Sequence, residues 1–331
     1  MKVLKVDNVN EAFRKAAGMI LNDDKWYEIA PRNGKITREY TQPVTTVYRR
    51  PWRRVLFSDV RDANPFFHLM EALWMLAGRD DAAWISQFSK NIGQFAEDDG
   101  YFHGAYGRRW KEPIDQLRTI GNHLRKNYDS RRAVLTMWNP MSDLNANKRD
   151  IPCNTHVYFK VRAGELHMTV CCRSNDIIWG CYGANAVHFS ILQEYMAALI
   201  NCKMGLYYHV SDSWHYYLDN PTYKKLAMGA AIGEQDYYMG HGYTPTRIAS
   251  TAIINEHVDL WEEDLRRFFT DDWDDPTMYN DLFFARTAYP MRDAWRCYKR
   301  GDITTALHLV KNISSPDWGL ACTQWLERRK K

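Results

Sequence analysis

The chain has 331 residues, 45% of them hydrophobic and 25% charged, enough to bury a substantial core in a soluble globular protein. Its 44 basic and 40 acidic residues leave a net charge of +4, too balanced to argue for a nucleic-acid partner, although local clusters can still hold a small anion. Seven cysteines at irregular spacings do not look like a disulfide framework, and the close set Cys171, Cys172 and Cys181 lacks a second pair to complete a metal site.

The start lacks a signal peptide and no stretch reaches about 18 apolar residues, so the expected location is the cytoplasm, its own or a host's, with no membrane partner. No linker or fixed-period repeat divides the chain, which predicts a single catalytic domain over 1–331. Before residue 60, turn signals and short strand-like runs predict loop and edge strand bearing exposed arginines. "NPFFHLMEALWMLAG" places Phe67, Met70, Leu73, Trp74 and Ala77 at helical spacing, from Pro65 to a stop at Gly78, with Glu71 flanking the apolar face. An amphipathic helix on Ile114, Leu117, Ile120 and Leu124 follows, then a turn at Asp129–Ser130 and a strand from Ala133 to Trp138. "HVYFKV" and "ELHMTVCC" read as a hairpin, and "ANAVHFSILQEYMAALINCKMG" as a long helix with Val187, Ile191, Tyr195 and Ala198 on its buried side and Gly205 after it. Helices mixed with antiparallel strands predict an α+β fold. Residues 218–331 read as mainly helical and yield no chemistry.

Arg32, the pair Arg131–Arg132, and Arg173 followed by Ser174 sit in turns or at strand ends, where guanidinium groups can converge on a phosphate. Each alone reads more plainly as a solvated arginine in a surface ion pair, and only as a set, with a thiol between them in sequence, do they point to an anion site. Cys153, in "DIPCNTHVYFKV", is either a small buried hydrophobe or a nucleophile whose thiolate nearby arginines favour. Glu71 on a mostly apolar helix suits a proton-transferring group, though a helix-surface glutamate is the plainer reading. No Gly-rich phosphate loop, H-x-x-x-H pair or serine elbow competes.

From about residue 30 to residue 217 the chain resembles the thymidylate synthase family, through "MEALWMLAG", "GAYGRRW", "DSRRAVLTMWNP", "IPCNTHVYFKV" and "CCRSNDIIWGCYGAN" in order. The resemblance implies a three-layer fold with a large mixed, mostly antiparallel sheet used in a homodimer. It makes Cys153 the nucleophile that adds to C6 of a pyrimidine nucleoside monophosphate, with Glu71, Tyr106 and Asp176 as further catalytic groups. Arg32, Arg173 and Ser174 match phosphate ligands, with Arg131 and Arg132 reaching in from the other subunit. Asn185, Asp176 and Asn154 fall at the base, His215 and Tyr216 at the sugar, and Ile92, Trp74 and Gly180 beside the folate. The implied cofactor is 5,10-methylenetetrahydrofolate, with no metal.

Departures cluster at the positions that decide the product. Asn154 stands where the family usually has a histidine, and the base-reading asparagine aligns with Asn185 only after a one-residue shift from Ala184. At the sugar site the usual histidine is Trp214, with His215 beside it, and strand neighbours face opposite ways. Ile92 replaces the tryptophan of methylating members, and the end "WLERRKK" replaces their short apolar tail. A wetter pocket implies water attack and 5-hydroxymethylation of dUMP, dCMP or CMP; the alternatives are methylation of dUMP to dTMP and a nucleotide-binding homologue without activity.

Overall fold

The computed structural model describes residues 1–30, 34–240, 247–255, 257–270 and 275–330. β1 (Lys2–Val6) leads into α1 (Val9–Asn22), whose first turn is capped by the Asn8 side-chain oxygen accepting from Asn10 and Glu11. Two short strands, β2 (Trp26–Ile29) and β3 (Thr37–Tyr40), precede β4 (Val44–Tyr48), which is buried along its whole length. β4 pairs with β1 on one side and β8 on the other, so the expected edge strand lies inside the sheet.

α2 (Pro65–Leu76) starts at Asn64, which accepts the Phe67 N–H, and ends before Gly78, whose φ of +76° suits a residue without Cβ. It is buried nearly all round, not along one stripe. Two short helices, α3 (Ala82–Ile85) and α4 (Tyr106–Lys111), lead to α5 (Gln116–Lys126). α5 buries Leu117, Ile120 and Leu124, while Ile114 lies before it and is exposed. β5 (Val134–Thr136) is shorter than the predicted strand, and α6 (Pro140–Asp143) follows it. The hairpin is β6 (Asn154–Arg162) with β7 (Glu165–Asp176), closed by Ala163 and Gly164 at φ +51° and +76° in the left-handed geometry that matches strand twist.

After β7 a wide helical turn, Ile177–Ala184, runs into α7 (Asn185–Ile200), and β8 (Lys203–Tyr217) returns parallel to β7. α7 ends at Asn201 in the left-handed region, and Ala198 is its half-buried position. Gly205 therefore lies inside β8, where a Cβ would come within 2.8 Å of the His167 ring. The sheet order is β1-β4-β8-β7-β6-β5, with β3 also on β8 and β2 on β3. β1–β4 and β7–β8 are parallel and the other pairings antiparallel, the mixed, mostly antiparallel α+β sheet expected.

The C-terminal part adds α8 (Pro221–Ala227), α9 (Val258–Phe268), α10 (Tyr289–Lys299), α11 (Ile303–Lys311) and α12 (Pro316–Glu327). α7 lies on β7 and β8, α2 packs on α7, and α10 and α12 pack on α2. The outer layer is fastened by aromatic contacts: Trp325 meets Phe66 edge-on at 5.7 Å and Trp295 at 5.7 Å. On the opposite sheet face Tyr158, Lys160, Thr169, Cys171, Tyr208 and Val210 remain partly or fully exposed at alternate strand positions.

Candidate active site

A cleft of about 380 Å³ opens between α2, the Ile177–Ala184 turn and the ends of β6 and β8. Glu71, Trp74, Ile92, Tyr106, Cys153, Ser174, Asp176, Gly180, Asn185 and His215 all line it. Segments up to 144 residues apart thus converge, as the motifs predict.

Cys153 occupies the last position before β6, directly after Pro152. Arg173 holds this turn: its Nε donates to the Pro152 carbonyl at 2.9 Å, its Nη2 to that of Ile151 at 3.2 Å, and its backbone N–H to that of Cys153 at 2.9 Å. The guanidinium also lies 5.5 Å from the Trp138 ring and stays exposed at its outer edge. Burial pushes the Cys153 thiol up, opposed by the Arg173 charge and reinforced by that of Asp150. This corrects the expectation of an arginine-stabilised thiolate: desolvation outweighs the one guanidinium nearby.

Beneath the sulfur lies a polar network that the motifs do not reveal. The Tyr106 hydroxyl oxygen accepts from the backbone N–H of Cys153 at 3.2 Å, and from the backbone and side-chain N–H of Asn154, both at 3.0 Å. Asn154 Nδ2 also donates to Asn185 Oδ1 at 3.2 Å, and Asn185 Nδ2 to Asn175 Oδ1 at 3.1 Å. Asn175 Nδ2 in turn donates to Ser211 Oγ at 2.8 Å, and Asn154 Oδ1 meets His209 Nε2 at 3.1 Å. Burial drives His209 down to about 3, so it stays neutral and its Nε2–H serves Asn154. Asn154 is wholly buried and absent from the cleft wall, which removes it from the expected base contacts and makes it a support for Asn185. Asn185 cannot flip without breaking two hydrogen bonds, so its remaining donor and acceptor face the cleft in one orientation.

Glu71 Oε2 stands 3.1 Å from His188 Nε2 but off the hydrogen-bond direction, and both atoms are buried without a partner. Trp74 Nε1 and Asp176 Oδ2 are orphaned in the same way. Four unsatisfied polar atoms around one cleft are costly in a closed interior and suit a site completed by ligand and ordered water. Asp176 caps the turn, its Oδ1 accepting from Ile178 at 2.6 Å and Trp179 at 2.7 Å, while burial pushes the carboxyl up. Gly180 leaves room for the amides, since a Cβ would meet Asn185 Nδ2 at 3.3 Å and Asn175 Oδ1 at 3.4 Å.

Strand parity corrects one residue at the far end. His215 and Tyr217 face the cleft, whereas Tyr216, predicted beside the sugar, is buried on the other side against Trp26 and Tyr223. Trp214 shares that hidden side, stacked 5.6 Å from Trp26. Arg131 and Arg132 are exposed before β5 and do not reach this chain's cleft, while Arg32 lies outside the described residues. Among the described residues no group of three His, Cys, Asp or Glu could hold a metal ion, and no helix is long and apolar enough to cross a membrane.

The thymidylate synthase family profile matches residues 60–278. The chain belongs to the thymidylate synthase family. A deoxyuridylate hydroxymethyltransferase of Pseudomonas phage M6 is 39% identical, over all of this chain and 95% of its own length. A protein of the same name from Bacillus phage SP01 is 40% identical over 58% of this chain and 53% of its own. A putative thymidylate synthase of Methanosarcina acetivorans is 34% identical over 65% of this chain and 89% of its own. Among solved structures, thymidylate synthase A of Bacillus subtilis superposes with a TM-score of 0.56 at 19% identity, covering 69% of this chain and 85% of its own, and shows the shared fold. The chain is a one-carbon transferase of this family.

Proposed function

We propose that the protein converts dUMP to its 5-hydroxymethyl derivative, using 5,10-methylenetetrahydrofolate. The observation that carries the reading is Ile92, an aliphatic residue on the cleft wall at the position where the resemblance implies a tryptophan in methylating members. The full-length likeness to a deoxyuridylate hydroxymethyltransferase supports it.

Cys153 attacks C6 of the pyrimidine, the S–C6 bond forms, and the ring π electrons move through C5 toward the O4 oxygen. A thiol raised by burial must lose its proton to cleft water as it attacks, so addition and deprotonation are coupled. Asn185, held in one orientation, reads the N3–O4 edge and stabilises charge on O4. Glu71 and His188 hold water near the base with the two atoms left unpaired. His215 and Tyr217 meet the sugar, and Ser174 with the outer edge of Arg173 receives the phosphate. Trp74, Ile92, Asp176, Trp179 and Gly180 form the folate side, where the orphaned Trp74 Nε1 and Asp176 Oδ2 offer a donor and an acceptor. The folate supplies a one-carbon unit at the formaldehyde level. Arg131 and Arg132 complete the phosphate site of a second copy across the exposed sheet face, in a two-fold homodimer.

Thymidylate synthesis is the second reading, favoured by Trp74, an indole that does line the cleft. Incubation with dUMP, dCMP or CMP and methylenetetrahydrofolate, followed by mass spectrometry, separates the two. A hydroxymethylated dUMP with tetrahydrofolate is expected; methylated product with dihydrofolate rejects the proposal.

A further inference from the structure

The cleft holds a third acidic wall residue, beside Glu71 and Asp176, to which neither the resemblance nor the family assigns a task. Asp150 stands three residues before Cys153 and lines the same cavity as Glu71 and Ile92. Its Oδ2 accepts the Gly104 N–H at 3.1 Å, and among the described residues its carboxylate has no other hydrogen-bond donor. The approach is built into the backbone: a Cβ on Gly104 would lie 2.8 Å from Oδ2, 3.0 Å from Cγ and 3.1 Å from the Asp150 carbonyl oxygen. Gly104 does not have a positive φ, so close approach and not turn geometry requires glycine there. Burial pushes the Asp150 carboxyl up, the Gly104 N–H, Arg109 and His103 pull it down, and the Glu71 charge raises it again. A carboxylate tuned toward a higher proton affinity in a partly dry cleft is suited to take a proton from water.

We propose that Asp150 is the general base that activates water for the hydroxymethylation step. The inference rests on the hydroxymethylase reading and assigns it a catalytic residue. The nucleotide, bound to Cys153 through C6 and carrying an exocyclic methylene at C5, is the acceptor. Water oxygen bonds to the methylene carbon, its proton passes to Asp150, and the C=C pair moves through C5 onto O4. As that enolate collapses, C5=C6 re-forms and the C6–S bond breaks; the departing sulfur takes a proton from cleft water and Asp150 returns its own to water. Charges and atoms balance without a redox partner.

The test uses Asp150→Asn, which keeps shape and removes basicity, with [5-³H]dUMP and methylenetetrahydrofolate. In a single turnover, with enzyme in excess over nucleotide, tritium release should stay within about threefold of wild type while hydroxymethyl product forms about 10²-fold or more slowly. Added 2-mercaptoethanol, whose thiolate needs no base, should then be captured as a C5-CH2 thioether, a product that a merely structural residue would not bring out. Gly104→Ala should reproduce the split with Asp150 intact, because its Cβ displaces the carboxylate. Undiminished hydroxymethylation by Asp150→Asn overturns the proposal, as does loss of tritium release in step with product and without thioether. A wild type that makes methyl product and dihydrofolate shows instead that the underlying hydroxymethylase reading is the one at fault.

Discussion

Replacing Tyr106 by Phe isolates one oxygen on which the nucleophile's position depends. That oxygen accepts three N–H groups, from Cys153, from Asn154 and from the Asn154 side chain, at 3.0 to 3.2 Å. The amide can shift toward Asn185 Oδ1, which it already meets at 3.2 Å, so two backbone donors are left without an acceptor. Each buried orphan costs about 1–3 kcal/mol, and partial relaxation at the strand end places the sum near the lower limit, about 2–3 kcal/mol. For a chain of this size that corresponds to a fall in Tm of about 3–4 °C. The turn carrying Cys153 also loses its anchor, and a displacement of about 1 Å at a reacting atom can cost up to about 10²-fold in rate. Thermal unfolding followed by circular dichroism, alongside tritium release from [5-³H]dUMP, measures both effects on the same preparation. Since burial holds the Tyr106 hydroxyl well above the ordinary phenol range, it acts as a neutral hydrogen-bonding group and not as a phenolate base. Loss of tritium release with Tm unchanged within about 1 °C would refute the structural role and leave a purely chemical one.

Cys153→Ala should keep nucleotide binding by calorimetry and abolish tritium release; turnover at the wild-type rate would remove the sulfur from the mechanism. Ile92→Trp should cut water access and divert part of the flux to methylated dUMP and dihydrofolate, read by mass spectrometry of the product mixture. Arg131→Ala with Arg132→Ala should raise the KM for nucleotide by about 10²-fold through the loss of charge-assisted hydrogen bonds, with thermal stability unchanged. The proposed two-fold assembly predicts that sedimentation gives a dimer for the wild type and for that variant alike. Asp143 accepts two bonds from Arg109, at 2.7 and 2.8 Å, and faces His103 Nε2 at 2.8 Å; its carboxyl is held down at about 2. Because this lies below the unfolded value, its contribution is present above about pH 4 and lost as pH falls through 2; discounted for screening it is about 1–2 kcal/mol. Asp143→Asn should lose that stability at pH 7 and flatten the acid limb of denaturant midpoints measured between pH 2 and 5.

The convergence of the site was legible through the family resemblance. Residue type and spacing left Cys153 and Glu71 open, the ordered motifs gave each a role, and both reach the cleft. The support beneath them was not legible, because its direction is set by partners far along the chain. Asn154 looks like a base contact until His209, 55 residues later, takes its oxygen and Asn185, 31 residues later, receives its N–H. Tyr216 was misplaced for a different reason. A motif match can slip by one position, and in a strand one position reverses the face, so the cleft receives Tyr217.

The tail shows how a local reading can invert. "WLERRKK" lacks an apolar closing segment, which suggests a folate side left open, yet α12 packs on the helix that carries Glu71 and Trp74. Beyond it Arg328 pairs with Asp59, and Arg329 with Asp62 at 2.6 Å, in the loop that leads into α2. That loop also contains Arg61, whose guanidinium lies 4.8 Å from the ring of Trp179 on the cleft rim and donates to the Ile178 carbonyl. Arg329 and the rim are therefore joined by a chain of contacts, Arg329 to Asp62 and, one residue away, Arg61 to Trp179. Surface pairs of this kind contribute little stability each, about 0–1 kcal/mol, so their removal should change the order of the rim far more than the fold. Truncation after Glu327 is accordingly expected to leave Tm within about 2 °C. It should raise the KM for the folate with that for nucleotide unchanged; equal effects on both would mean that the tail supports the whole cleft and not its folate side.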